Sequence, residues 1–201
     1  MGYSCMAHSE PTGTSYPDES HTDTPSEARI VAMMAITAAI TGVGFLLTAP
    51  IPLIPGAVQL RIMAFLPVVF GVLYGWRTGF VAGGVGNLIW AILGGYFNPA
   101  TPVFDLVAVG LTGAIPGYFV SPEDCETTRG LAKATVVATI AGLIMIPIVA
   151  LGFEIVGVAP FFAAIGTLVP ADMPAIVIGT PIVLRAVVPV LRDRDLLAYR
   201  Y

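Results

Sequence analysis

Six apolar runs dominate this chain, at residues 30–49, 57–74, 79–95, 103–120, 131–151 and about 168–190. A helix needs about 20 largely apolar residues to cross the hydrocarbon core of a bilayer, within a range of about 17–25, so each run is of spanning length or close to it. Charge is correspondingly scarce. Only 11% of the 201 residues are charged and 56% are hydrophobic, against about 25% charged in a soluble domain. The pattern predicts an all-α membrane protein built as a six-helix transmembrane bundle. The start of the sixth run is loose, because the sequence is apolar enough to begin a span anywhere from Phe161 to Ala171.

Basic residues orient the bundle. With six spans both termini lie on one side, and placing them in the cytoplasm puts Arg29, Arg77, Arg129, Lys133, Arg185, Arg192, Arg194 and Arg200 inside, leaving only Arg61 outside. Such an excess is the positive-inside rule at work, and it predicts a multi-pass protein of a cell membrane. Residues 1–27 are rich in Ser, Thr, Pro, Asp and Glu with no apolar run. They read as a disordered cytoplasmic tail and lack the basic start and apolar core of a signal peptide. Residues 192–201 form a second cytoplasmic tail, and 28–191 the membrane domain. The outer connections are apolar: "PIPLIPG" (50–56), "YFNPATP" (96–102) and a long segment, 152–170. Loops of that last length are often lids, so we expect apolar outer loops capping an outward-facing pocket.

Polar residues gather at the outer depth of the bundle. Asn87 and Trp90 fall in the outer half of span three, three residues apart and so on one helix face. Gln59 and Arg61 begin span two, Asp105 opens span four, Glu154 follows span five, and Asp172 lies near the outer end of span six. Charges inside a bilayer cost at least ~2.5–3.5 kcal/mol at its centre on insertion scales, so groups like these turn toward protein or a watery cavity. Each carboxylate alone is explained as well by a solvated helix end, Asn87 by an interhelical hydrogen bond, and Trp90 by an interfacial belt. Their shared depth favours a substrate pocket in which Asn87 bonds the ligand or its water. Three carboxylates against Arg61 argue for a neutral or cationic compound.

Small residues make the other pattern. Ala28, Ala32, Ala35, Ala39 and Gly42 recur at spacings of three and four, a stripe along which another helix can approach closely. Gly75, Gly79 and Gly83, then Gly110, Gly113 and Gly117, suit packing within the bundle. Several chemistries are disfavoured. Both histidines, His8 and His21, lie in the leading tail, and the two cysteines, Cys5 and Cys125, are far apart, so no metal site is expected. There is no GxxxxGK[ST] loop for nucleotide and no GxSxG. A membrane enzyme is therefore disfavoured, and no cofactor is expected on this chain. A stand-alone secondary transporter or channel using Asp105, Glu154 and Asp172 stays open, although no two spans show the matched breaks of an inverted repeat.

From residue 28 to about 190 the chain resembles the substrate-binding S components of energy-coupling factor (ECF) vitamin transporters. The likeness rests on the alanine stripe, on "IPLIPGAVQLRIMAFLPVVFGVLYGWRTGFVAGGVGNLIWAILGG" and on "LTGAIPGYF". "YGWRTG" departs from the family by carrying Trp where Pro is common. The resemblance implies a six-helix bundle holding one vitamin-like molecule near its outer face. It implies partners as well: a transmembrane coupling protein docked on Ala28, Ala32, Ala35 and Ala39, and two cytoplasmic ATPase subunits that use ATP. Riboflavin-like, thiamine-precursor-like and queuosine-precursor-like ligands all stay open.

Overall fold

The computed structural model describes residues 27–48, 52–54 and 58–194. The expected leading tail, with Cys5, His8 and His21, lies outside the described residues up to position 26, as does most of the closing tail. The architecture is helical: α1 (Glu27–Thr48), α2 (Leu66–Tyr74), α3 (Trp76–Leu93), α4 (Pro102–Phe119), α5 (Thr128–Ile155), α6 (Phe161–Pro174) and α7 (Thr180–Arg192). A five-residue π-helical turn, Ala175–Gly179, joins α6 to α7. Two short antiparallel strands, β1 (Pro52–Ile54) and β2 (Val58–Gln59), precede α2.

Helix lengths differ from the expected spans in two places. Only Leu66–Tyr74 of the run 57–74 is α-helical, about 14 Å at 1.5 Å per residue, too short to cross a bilayer by itself. Pro67 in its first turn suits a helix start, and the hairpin takes up the residues before it. In the other place, the expected outer loop 152–170 is mostly helix. α5 continues to Ile155 and α6 begins at Phe161, so the connection is the turn 156–160. Phe161–Val169 is apolar and carries no helix breaker until Pro170, and Pro160 stands just before the first turn, where a missing N–H costs nothing. Among the described residues, four helical runs are long and apolar enough to span a membrane: Glu27–Thr48, Pro102–Phe119, Thr128–Ile155 and Phe161–Arg192. α3 has 18 residues, but Arg77, Asn87 and the glycines 79, 83, 84 and 86 dilute its apolar character.

Glycine sets the spacing of the centre. A Cβ on Gly79 would sit 2.4 Å from the Gly113 carbonyl oxygen, one on Gly113 2.2 Å from that of Gly79, and one on Gly83 2.3 Å from that of Val109. A Cβ on Gly71 of α2 would sit 2.0 Å from that same Gly113 carbonyl oxygen. The backbones of α2, α3 and α4 thus approach as closely as backbones can, the role expected for Gly79, Gly83 and Gly113, with Gly71 joining them from outside the glycines singled out in the sequence. α1 lies on the other side of α3, burying Thr37, Ala38, Thr41, Gly42 and Phe45. Its buried hydroxyls bond within the helix, Thr41 to the Thr37 carbonyl at 2.8 Å.

At the end that carries the basic residues, Val69, Val72, Leu73, Leu131, Leu184 and Val188 form one apolar core. Two ion pairs close it, Lys133–Asp124 at 2.9 Å and Arg192–Glu126. The Lys133 ammonium and the Ser121 N–H hold the Asp124 carboxyl below the ordinary carboxylate range. At the other end Phe45, Trp90, Val109, Met145, Val149, Phe153 and Leu168 form a second core.

A methyl group at one of these backbone contacts should be costly and one in open space should not. Gly113→Ala is expected to lower stability by about 1–3 kcal/mol through overpacking. Gly166→Ala, which meets nothing within 4 Å, should be neutral or stabilising. Thermal unfolding in detergent compares them, and equal transition temperatures would contradict this packing.

Candidate binding site

Arg61 ends the hairpin segment just before the turn into α2, and it is only 6% exposed. A cation that deep needs compensation from several directions at once. Its backbone N–H donates to the Ala171 carbonyl at 3.3 Å, which fastens the segment to α6. Its Nη1 donates to Asn87 Oδ1 on α3 at 3.0 Å. Its Nε lies 3.9 Å from Asp172 Oδ1 on α6, beyond hydrogen-bond reach but close enough for charge pairing. The guanidinium carbon stands 4.7 Å from the Trp90 ring centroid and 5.6 Å from that of Phe45 on α1, both within cation–π range.

Beside this cluster lies a cavity of about 40 Å³, walled by Arg61, Trp90, Ala91, Tyr96, Asn98, Thr101, Asp105, Phe153 and Val158. That volume holds water-sized molecules, whereas pockets for drug-sized ligands measure about 300–1,000 Å³. Two turns contribute to its walls. Tyr96, Asn98 and Thr101 belong to the connection from α3 to α4, and Val158 to the turn from α5 to α6. Each turn contains a glycine with positive φ, Gly95 at 73° and Gly157 at 72°, a conformation in which any Cβ is strained. Tyr96 stacks on Trp90 with ring centroids 5.3 Å apart and planes 23° from parallel.

Several buried polar atoms here make no hydrogen bond to the described residues. They are Trp90 Nε1, both amide atoms of Gln59, and both carboxylate oxygens of Asp172. Buried polar groups are paired in the large majority of cases, so their concentration around Arg61 marks this region as unusual. The cavity offers donors from Arg61 and Trp90 and an acceptor from Asp105, between aromatic faces. These groups are complementary to carbonyl and N–H groups, while at about 40 Å³ the cavity itself holds water-sized molecules.

The sequence-derived candidates divide into three groups. Arg61, Trp90 and Asp105 line the cavity. Asn87, 1% exposed, and Asp172, 1% exposed, support Arg61 from behind and are not part of the wall. Gln59 is as deeply buried on β2. Glu154 stands apart, exposed in the last turn of α5 and outside the cavity, so the excess of carboxylates expected at the site shrinks. Asn87 was expected to bond a ligand, but its carbonyl is engaged by the protein's own arginine. Sequence reading missed Tyr96, Asn98, Thr101, Phe153 and Val158. The signal for the first three was the aromatic and proline turn "YFNPATP", a short link that holds side chains against the end of α3.

The alanine stripe has a different setting. Ala28, Ala32, Ala35 and Ala39 are all exposed on α1, whereas Gly42, the last member of the same stripe, is buried against Gly86 and Ile89 of α3.

Three comparisons with known proteins bear on this arrangement. A family model described as "ECF-type riboflavin transporter, S component" matches residues 26–188. "Probable biotin transporter BioY" of Lysinibacillus sphaericus is 32% identical over 131 residues, which cover 61% of this chain and 63% of that protein. The chain thus spans somewhat under two-thirds of that relative's length. A solved structure described as "Structure and mechanism of the S component of a bacterial ECF transporter" is matched over 84% of this chain and 96% of its own, at 21% identity and a TM-score of 0.49.

The Arg61–Asn87 bond yields a test that needs no ligand. Asn87→Leu removes the acceptor and leaves a buried guanidinium N–H without its partner, which should cost about 1–3 kcal/mol. The drop should be visible as earlier thermal unfolding of the ligand-free protein. Unchanged unfolding would mean that Arg61 does not depend on Asn87.

Proposed function

The chain belongs to the family of ECF-type riboflavin transporter S components, and from that membership we propose that it is the substrate-binding subunit of an ECF-type importer. The observation that carries this reading is the reach of the family match, from the start of α1 to within four residues of the end of α7. A multi-pass membrane protein without a nucleotide-binding loop in its sequence needs an outside energy source for uphill transport. In the proposed reading this comes from a coupling protein and two cytoplasmic ATPase subunits. Six passages of the chain, the second made by the short α2 together with the segment before it, with both termini in the cytoplasm and the Arg61 cavity facing outward, fit the distribution of basic residues. The cell membrane of a prokaryote is the proposed location.

The ligand is a vitamin-sized molecule whose flat ring carries carbonyl and N–H groups. Arg61 and Trp90 Nε1 donate to its oxygens, Asp105 accepts from its N–H, and Tyr96 and Phe153 contribute aromatic surface. The family description points to riboflavin and the curated relative to biotin; both molecules present cyclic amide or ureide groups of this kind. Entry of either requires the turns around Gly95 and Gly157 to part, because the closed cavity holds only water-sized molecules. The exposed alanines of α1 form the surface on which a coupling helix approaches.

Titration of the purified full chain with riboflavin and with biotin tests the binding role. One of the two should bind, and Trp90→Ala and Asp105→Ala should each weaken it about tenfold or more, the equivalent of about 1.4 kcal/mol. Vesicles containing this chain alone should bind ligand without accumulating it. Uphill uptake by the isolated chain would sink the subunit reading.

Docking on α1 has its own check. Ala32→Leu or Ala35→Leu should prevent co-purification with the coupling protein by holding the partner helix away, while ligand affinity stays as in the unaltered protein. Loss of affinity with assembly intact would contradict the assignment of the stripe.

A further inference from the structure

At the end of the bundle opposite the cavity, a groove of about 350 Å³ runs between α5 and α7. Its floor is apolar, formed by Leu131, Ala132, Pro181 and Ile182, and Thr128 and Arg185 supply its polar edge. Thr135 also lines it, but its hydroxyl is spent on the Leu131 carbonyl at 2.9 Å.

The position of Arg185 is the telling feature. Arg192, seven residues further along α7, pairs with Glu126 beside the start of α5 and so marks the charged rim of the bundle. Seven helical residues rise about 10 Å, which sets Arg185 two turns inward of that rim, toward the hydrocarbon. It is exposed, and no carboxylate among the described residues forms an ion pair with it. A cation at that depth is costly unless it meets an anion or reaches the interface. The anion available at the inner boundary of a bilayer is a lipid phosphate, and basic recesses between membrane helices on the cytoplasmic side bind acidic head groups. The groove matches such a molecule in sequence of chemistry: a cation and a hydroxyl for the phosphate, the positive end of the 28-residue helix α5 nearby, then an apolar trough for an acyl chain.

We propose that the α5–α7 groove is a binding site for an anionic phospholipid of the leaflet facing the basic end of the bundle, with Arg185 and Thr128 holding its phosphate. Charge complementarity and the depth of Arg185 select this occupant over an apolar segment of protein. The site is independent of the ligand cavity and of the transport reading.

Native mass spectrometry of the full chain, released from micelles containing phosphatidylcholine and phosphatidylglycerol, tests the proposal directly. Phosphatidylglycerol should be retained in preference to phosphatidylcholine, Arg185→Lys should keep most of that preference, and Arg185→Gln should lose it about tenfold. Arg194→Gln, at the exposed end of the chain's described part, should behave as the unaltered protein. Should Arg185→Gln fail to fold, Ala132→Trp carries the test, since an indole on this exposed position fills the trough and leaves the cation in place; it too should shed the lipid. Equal lipid retention in Arg185→Gln and the unaltered protein, or in Ala132→Trp where that variant carries the test, would overturn the site. So would displacement of the lipid by inorganic phosphate alone, or a second copy of the chain in place of a lipid adduct.

Discussion

A buried guanidinium organises the end of this molecule where the cavity lies. Arg61 reaches three helices at once: the Phe45 ring of α1, Asn87 and Trp90 of α3, and Asp172 of α6, where its own backbone also bonds to Ala171. Burying a charge costs several kcal/mol before compensation, so these partners are requirements of the fold as much as features of a site. The same residue presents hydrogen-bond donors to the cavity. One side chain thus ties together α1, α3 and α6 and also forms part of the cavity wall.

The glycine contacts explain where the cavity lies. Along most of their length α2, α3 and α4 touch backbone to backbone, at Gly71, Gly79, Gly83 and Gly113, and leave no room for anything between them. Toward the end of α3 the small residues give way to Trp90, followed by Tyr96 in the turn, with Phe153 of α5 opposite. Large side chains hold the helices apart there, and polar atoms without hydrogen-bond partners among the described residues collect there as well. The result is a tight bundle with a small polar chamber at one end, walled in part by two turns that each contain a glycine of positive φ.

Much of this was legible in the sequence because membrane helices announce themselves by length and hydropathy, and close helix contacts by the spacing of glycine. Arg61, Trp90 and Asp105 could be singled out because polar residues are conspicuous against an apolar background. The errors have a physical origin too. Hydropathy cannot distinguish an apolar hairpin from an apolar helix, so residues 57–65 read as part of a span, and the helical start of α6 read as a loop. Nor does composition reveal which polar residues face one another. The hydrogen bond between Asn87 and Arg61 was not legible because the two lie 26 residues apart in the chain, nor was the exposed position of Glu154 outside the cavity wall. Tyr96 and Val158 were hidden because their role depends on how two turns fold over the helix ends.

The two tryptophans of the chain lie at opposite ends of α3, and Trp76 is exposed while Trp90 is buried in the cavity wall. Trp76→Phe therefore leaves Trp90 as the single indole reporter of the site. Titrating that protein with riboflavin or biotin while recording indole emission tests the central claim most directly, because the signal arises at the proposed contact itself. Saturable change in Trp90 emission, with the same midpoint as the heat of binding, is the predicted result. Calorimetric binding with Trp90 emission unaltered would place the ligand elsewhere and contradict the account.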